Sequence, residues 1–237
     1  MLADNQCNHT ISRQGFAKPG KKVAKGNLQS MFRDVNLVFH NQGLRSYIEL
    51  DLCPSCPRQD DKGCCAYYSP VFYPLDFGFW LEHQPDMIDT IFAIPNITVL
   101  DTSVTVNNYP EGNSYRCRFH SKETGCYLPQ GLRESVCRQF ICPGVGWWDE
   151  PALSDWNDFF TELAEYEAAC NQRLGTALTN AGLSLRHPEN RTGFFQTLLP
   201  LYRETIAEYP AFFSTCPEKE SITLNKDISA AKQAWRL

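Results

Sequence analysis

The chain is organised around two cysteine-rich segments, and the first reads Cys53-Pro-Ser-Cys56-Pro-Arg-Gln-Asp-Asp-Lys-Gly-Cys64-Cys65. A two-residue gap lets two thiolates turn toward one ion, and a loop ending in glycine can bring a second pair back to the same place. Thiolates are soft donors, so the ions that suit them are zinc, iron in an iron–sulfur cluster, or monovalent copper. The segment therefore predicts a metal site, and its four candidate ligands are Cys53, Cys56, Cys64 and Cys65.

The second segment runs from Cys117 to Cys142 and adds four more candidate ligands. These are Cys117, Cys126, Cys137 and Cys142. Arg133 and Arg138 stand beside them, and a guanidinium can offset the negative charge that several thiolates accumulate. We therefore predict that Arg133 and Arg138 contact the bound cofactor, while an ordinary surface salt bridge is the alternative for either arginine taken alone.

The number of thiols exceeds what one site requires. One zinc ion or one four-iron cluster takes four ligands, and the two segments offer eight. Either there are two sites, or some of the thiols are structural.

The spacing of these residues resembles the CxxCxxCC or YkgJ-like family, whose members are described as zinc- or iron-chelating proteins. Cys53, Cys56, Cys64 and Cys65 match the family's first motif, while Cys126, Arg133, Cys137 and Arg138 match the second, with Cys117 and Cys142 flanking it. The gap between Cys56 and Cys64 is longer than the family's usual one, and Glu134 stands where a proline commonly follows the arginine. The family includes FliB-type flagellin lysine N-methylases, so the resemblance implies an iron–sulfur centre and methylation dependent on S-adenosylmethionine, with a protein as substrate.

Composition and charge narrow the classes of partner. The chain has 237 residues, 43% of them hydrophobic, and a formal net charge of -5. An acidic chain lacks the basic surface needed to displace counterions from phosphate backbones, which argues against a nucleic-acid partner. No apolar stretch is long enough to cross a bilayer, so no membrane partner is expected.

The N-terminus has no basic start followed by an apolar core, so we expect a cytoplasmic protein. A reducing compartment does not maintain structural disulfides, and the eleven cysteines therefore favour a metal.

The pattern of apolar residues predicts an α+β fold: a cysteine-rich metal-binding core followed by a mainly helical C-terminal part. We expect a flexible arm over residues 1–26, the core over 27–150, and helices packed on it over 151–237. In the first half, helical spacing predicts a helix from Asn27 through Phe39 that stops at Gly43. Alternating apolar and acidic residues predict a strand over 47–52.

Between and after the cysteine segments, further elements are expected. The apolar residues from Phe77 to Phe92 predict a helix interrupted at Pro85, and β-branched residues predict strands within 94–106. A long helix capped by Ser154 and a second one over 192–209 follow. The tail after Cys216 is polar and is expected to lie on the surface or to be partly mobile.

Three functional hypotheses remain open at this point. The first is a metalloprotein with an iron–sulfur cluster, for which a four-iron cluster is favoured, or zinc, serving a redox or protein-modifying enzyme such as a lysine N-methyltransferase. The second is a structural zinc site in a non-catalytic adaptor module. The third is an extracytoplasmic protein stapled by disulfides, which the Asn-X-Thr triplets would suit.

Overall fold

The computed structural model describes residues 32–53, 63–121, 123–142 and 144–227, and the chain over these ranges mixes helices with small antiparallel sheets. The strands are β1 (Phe32–His40), β2 (Tyr47–Leu50), β3 (Val71–Phe72), β4 (Ile97–Val99), β5 (Val104–Val106), β6 (Tyr109–Glu111), β7 (Ser114–Arg116), β8 (His120–Ser121), β9 (Gly125–Cys126) and β10 (Lys219–Asp227). The α-helices are α1 (Pro74–His83), α2 (Asp86–Ala93), α3 (Ser135–Gln139), α4 (Ser154–Asn180) and α5 (Arg191–Ala207).

The first predicted helix is wrong, because residues Phe32–His40 form strand β1. Val35, Leu37 and Phe39 are fully buried, which is the two-residue period of a strand. The predicted helix would bury Phe32 on its apolar face, but the Phe32 side chain is 67% exposed. Pairing with strands on both sides of β1 outweighs the helical spacing of its apolar residues. The start of the predicted helix and the predicted arm over 1–26 lie outside the described residues.

The described part of the tail after Cys216 lies at the surface, as predicted, but it is a regular strand. Residues Lys219–Asp227 form β10, which pairs antiparallel with the whole of β1, from Phe32 opposite Asp227 to His40 opposite Lys219. β2 pairs with the other side of β1, as the alternation over 47–52 predicted. The C-terminal part of the chain therefore completes the sheet β10–β1–β2 that the N-terminal part begins.

Two hydrophobic clusters lie under this architecture. We call the first the sheet core, in which Val35, Leu37 and Phe39 of β1 pack on Trp156 and Phe160 of α4. The second, which we call the helix core, collects α1, α2, the end of α4 and α5 around the sheet β3–β5–β4. The residues that anchor it are Phe72, Phe77, Trp80, Ile91, Leu174, Phe194 and Leu198.

Helices α1 and α5 approach closely at Gly78. A Cβ atom at Gly78 would lie 2.3 Å from the ring of Tyr202, so a larger residue would push the helices apart. This contact packs α5 against the helix core, as the aromatic residues of the helix predicted over 192–209 indicated.

Several other predicted elements are confirmed. Pro85 separates α1 from α2, β4 and β5 fall within the predicted β region, and α5 contains Pro200. The long helix begins at Ser154, although Leu153 rather than Ser154 occupies the N-cap position. Within the described residues, none of the helices combines the length and apolar character that crossing a membrane requires.

Candidate metal centre

A cavity of about 500 Å³ opens between β2, the 3-10 turn Gly63–Ala66 and the segment from Cys117 to Cys142. Seven of the eight predicted ligands line it. They are Cys53, Cys64, Cys65, Cys117, Cys126, Cys137 and Cys142. The eighth, Cys56, lies outside the described residues. The fold thus brings both cysteine segments to one place, although about fifty residues separate them along the chain.

A backbone hydrogen bond ties the two segments together beside their thiols. The Cys117 N–H donates to the carbonyl oxygen of Cys65 at 2.8 Å. Cys64 and Cys65 sit in a turn that starts at Gly63 with a φ of 55°, a conformation that favours glycine. The glycine before the Cys-Cys pair is therefore required by the turn that delivers the pair to the cavity.

Cys126 reaches the cavity from the short ladder of β8 and β9, where it pairs with His120. Gly125 beside it has a φ of 77°, and a Cβ atom there would lie 3.5 Å from the Cβ of Cys53. Cys53 therefore packs directly against the turn that carries Cys126. This contact joins the start of the first segment to the second.

Two of the sulfurs accept hydrogen bonds from backbone amides in the same local pattern. The Phe119 N–H donates to the Sγ of Cys117 at 3.5 Å, and the Leu128 N–H donates to the thiol of Cys126. In each case the donor lies two residues after the cysteine. Amide donors favour the thiolate over the thiol, and hydrogen bonds to sulfur are among the contacts that tune metal–thiolate centres.

Burial sets the protonation of the thiols in the absence of a metal. It raises the pKa of Cys117 to about 11, against the opposing effect of the Phe119 amide. The hydrogen bond with Cys64 and then burial raise the pKa of Cys65, and burial raises the pKa of Cys126, where Arg133 opposes it. These thiols are therefore protonated at neutral pH and must release protons to bind a metal.

Glu134 is the residue of the site whose role the sequence analysis missed. Its buried carboxylate caps α3 by accepting from the Val136 N–H at 2.9 Å and the Cys137 N–H at 2.7 Å. The Tyr68 hydroxyl also donates to it, at 3.4 Å. Burial raises the pKa of Glu134, and burial together with Glu134 raises the pKa of Cys137. An acidic residue directly before a short helix is a recognisable capping signal, and it could have identified this role from the sequence.

The two predicted cofactor-contacting arginines occupy different positions. Arg133 lines the cavity and donates to the carbonyl oxygens of Leu128, at 2.8 Å, and Cys126, at 3.1 Å. Arg138 is 1% exposed and points the other way, where it pairs with the carboxylate of Glu167 and donates to the Ser46 carbonyl oxygen at 2.5 Å. Of the two, only Arg133 is thus placed beside the thiols.

A third arginine, Arg45, supports the same segment. It donates to the Arg133 carbonyl oxygen at 2.7 Å and pairs with Asp76 of α1 at 2.8 Å. Arg138 donates to the same carbonyl oxygen at 3.2 Å. The backbone that carries Arg133, Glu134 and Cys137 is therefore fixed from α1 by one buried ion pair and from α4 by another.

The donors fit a soft metal in chemistry and in their convergence on one cavity. In the part of the chain that the structure describes, no three or more His, Cys, Asp or Glu side chains are arranged closely enough to form a ready metal-binding group. Cys64 and Cys65 are hydrogen-bonded to each other, and the thiols of Cys64, Cys65, Cys117 and Cys126 lie near enough to raise one another's pKa. Binding would therefore require these side chains to draw together.

No protein-family model, curated protein or solved structure matches the chain. The resemblance to the CxxCxxCC family therefore stays a prediction that rests on the cysteine and arginine positions alone.

Proposed function

We propose that this cavity holds a metal centre, an iron–sulfur cluster with a four-iron cluster favoured, or else zinc, in a protein that works in the reducing cytoplasm. The observation that carries the proposal is the convergence of seven cysteines from two distant segments on one cavity. Buried free cysteines that serve only packing have no reason to collect in this way. Soft metals are the partners that such a set of thiols suits.

The group formed by Cys64, Cys65, Cys117 and Cys126 would supply the four ligands that one zinc ion or one four-iron cluster requires. The Cys64 and Cys65 thiols are hydrogen-bonded, and the bond between the Cys117 N–H and the Cys65 carbonyl oxygen joins the two segments. The amides of Phe119 and Leu128 stabilise the deprotonated sulfurs. The remaining cavity cysteines, with Cys56, would complete a second site or surround the first.

An iron–sulfur cluster bound here would supply one-electron chemistry. The chain's own contribution is then to hold the sulfurs, to offset their charge with Arg133, and to shield them from water with apolar walls that include Leu128 and Ile141.

The protein-modifying activity that the resemblance implies requires S-adenosylmethionine as a second ligand. We keep lysine N-methylation as a prediction, and calorimetric titration of the metal-loaded protein with S-adenosylmethionine tests it. An absence of binding heat would remove this activity while leaving the metal centre in place.

A structural zinc site is the second candidate function, and one observation favours it. The strands β6 to β9, which surround the second cysteine segment, are only two or three residues long. A region with so little regular structure would be stabilised by a metal cross-link, because thiolate zinc sites contribute folding free energy directly. Colour separates the two candidates, because zinc centres are colourless and iron–sulfur clusters absorb visible light.

Serine substitutions test the proposal against a matched control. We expect Cys117→Ser and Cys126→Ser each to lower the bound metal measured by mass spectrometry, because serine is a poor ligand for a soft metal. Cys170→Ser is the control, since Cys170 is as buried as Cys117 but lies in α4 and does not line the cavity. Equal metal content in all three variants would contradict the proposal.

A further inference from the structure

The outer edge of β10 is a second surface of interest, and it is separate from the proposed metal centre. The sheet order is β10–β1–β2, and among the described strands none pairs with the outer side of β10. Unpaired strand edges present rows of N–H and C=O groups that can pair with another chain.

Hydrogen bonds at the ends of the ladder define which backbone groups face outward. The Asn41 N–H donates to the Glu218 carbonyl oxygen, and the Asp51 N–H donates to the Asn36 carbonyl oxygen. Odd-numbered residues of β1 therefore bond to even-numbered residues of β10, since hydrogen-bonded pairs alternate along an antiparallel ladder. Consequently the N–H and C=O groups of Ser221, Thr223 and Asn225 point away from β1.

The sequence of β10, Lys219-Glu-Ser-Ile-Thr-Leu-Asn-Lys-Asp227, is complementary to itself when reversed. An antiparallel pair of two copies centred on Thr223 places Lys219 opposite Asp227 and Glu220 opposite Lys226. It also places Ile222 opposite Leu224, Ser221 opposite Asn225, and Thr223 opposite itself. Within one copy, Glu220 already accepts from Trp156 and Lys226 already pairs with Glu150, so the new charge pair that the register adds is Lys219 with Asp227. Opposite charges and apolar residues that face each other directly across strands stabilise a sheet.

The backbone and the side chains require the same alignment. The pairs 219/227, 221/225 and 223/223 join residues whose backbone groups all point outward, so this register forms hydrogen bonds as well as favourable side-chain pairs. A shift by one residue would bring together groups that do not face each other. Ile222 and Leu224, which border the sheet core, would also be covered further.

We propose that β10 pairs with β10 of a second copy of this chain around a two-fold axis, which joins two three-stranded sheets into one. The same surface serves both copies, as a two-fold symmetric interface demands. One strand pair is a small contact area, so we expect reversible association with a dissociation constant in the micromolar range.

Charge exchange provides a test that does not depend on damaging the fold. Lys219→Asp places two aspartates opposite each other, and Asp227→Lys places two lysines opposite each other. We expect sedimentation equilibrium to show a dissociation constant raised about tenfold or more for either variant alone. An equimolar mixture of the two restores both opposite-charge pairs and should dimerise as the unaltered chain does.

A second pair of variants tests the backbone contact. Thr223→Pro removes an N–H that faces outward and leaves the ladder to β1 complete, so the variant should be folded and monomeric. Thr223→Val keeps that N–H and should dimerise. The proposal would be overturned if the unaltered chain were monomeric at all micromolar concentrations, or if every variant still dimerised. In the first case the outer edge of β10 would be available to pair with another segment or another protein.

Discussion

The sheet core and the cysteine cavity are held together in different ways. In the sheet core, β1 and β10 pair along nine residues, and Phe39 stacks on Trp156 with ring centroids 5.0 Å apart. Around the cavity, apart from β2, strands of two or three residues alternate with irregular backbone. The first region is stabilised by regular hydrogen bonding and apolar burial, whereas the second depends on individual side-chain contacts.

This difference explains where the buried arginines act. Arg45 and Arg138 both donate to the Arg133 carbonyl oxygen, and their ion pairs with Asp76 and Glu167 reach back to α1 and α4. Regular secondary structure would satisfy such a carbonyl group itself. We infer that the cavity region is braced by the helices on one side and, in the proposed metal-bound state, by the metal on the other.

Metal removal should produce the largest effect, and it should destabilise the cavity region but not the sheet core. We expect hydrogen exchange to speed up in the segment 109–126 when a chelator is added, because a cysteine-bound structural metal can contribute about 10–16 kcal/mol of apparent folding free energy. The amides of β1 and β10 should keep their protection. Equal acceleration of hydrogen exchange in both regions would contradict this prediction, because the metal would then stabilise both regions alike.

Loss of the Arg138 guanidinium should destabilise the junction between the regions. Arg138→Met removes the charge partner of the buried Glu167 carboxylate and leaves it only the hydrogen bond from Gln139, and we expect a loss of about 3–5 kcal/mol in the free energy of unfolding. Adding Glu167→Leu should recover much of that loss, because the unpaired charge is then gone. Denaturant unfolding measures both variants, and a double variant no more stable than the single one would contradict the assignment.

Truncation within the sheet core should affect stability without affecting the metal. Val35→Ala shortens a fully buried side chain and should cost about 2 kcal/mol of unfolding free energy. Val38→Ala on the opposite face of the same strand is the control, since Val38 is only partly buried and a smaller loss is expected. Metal content should be unchanged in both, and a drop in Val35→Ala would mean that the two regions are coupled.

The pH dependence of metal binding should show the smallest effect for any single group. Because the pKa of Cys117 is raised to about 11, its thiol is protonated at neutral pH and must lose that proton when it binds a metal. Each proton released strengthens binding about tenfold per pH unit, so the affinity rises as the pH rises. Calorimetry with cadmium in buffers of different ionisation enthalpy measures the protons released. Binding that does not change with pH would exclude these thiols as ligands.

The cysteine positions allowed much of the candidate site to be predicted, because seven of the eight thiols line the cavity. The cysteines are clustered within each segment, so the sequence shows this grouping without knowledge of the fold. The role of Arg138 was less visible, since its neighbour in sequence is Cys137 but its ion-pair partner, Glu167, lies in α4. A residue's position beside a cysteine does not specify the direction of its side chain.

The fold was predictable where local pattern and tertiary contacts agree, as in α4 with its buried Trp156 and Leu163. It was not predictable for β1, whose apolar residues fit a helical spacing and a strand period equally well over a few residues. The deciding contact is pairing with β10, which lies about 190 residues away along the chain.

Metal analysis of protein purified without oxygen, together with its visible absorption spectrum, tests the central proposal most directly. We expect stoichiometric iron with acid-labile sulfide and broad visible absorption, or stoichiometric zinc in a colourless sample. Protein that contains neither metal, and that takes up neither when iron with sulfide or zinc is supplied under reducing conditions, would contradict the assignment of the cysteine cavity as a metal centre.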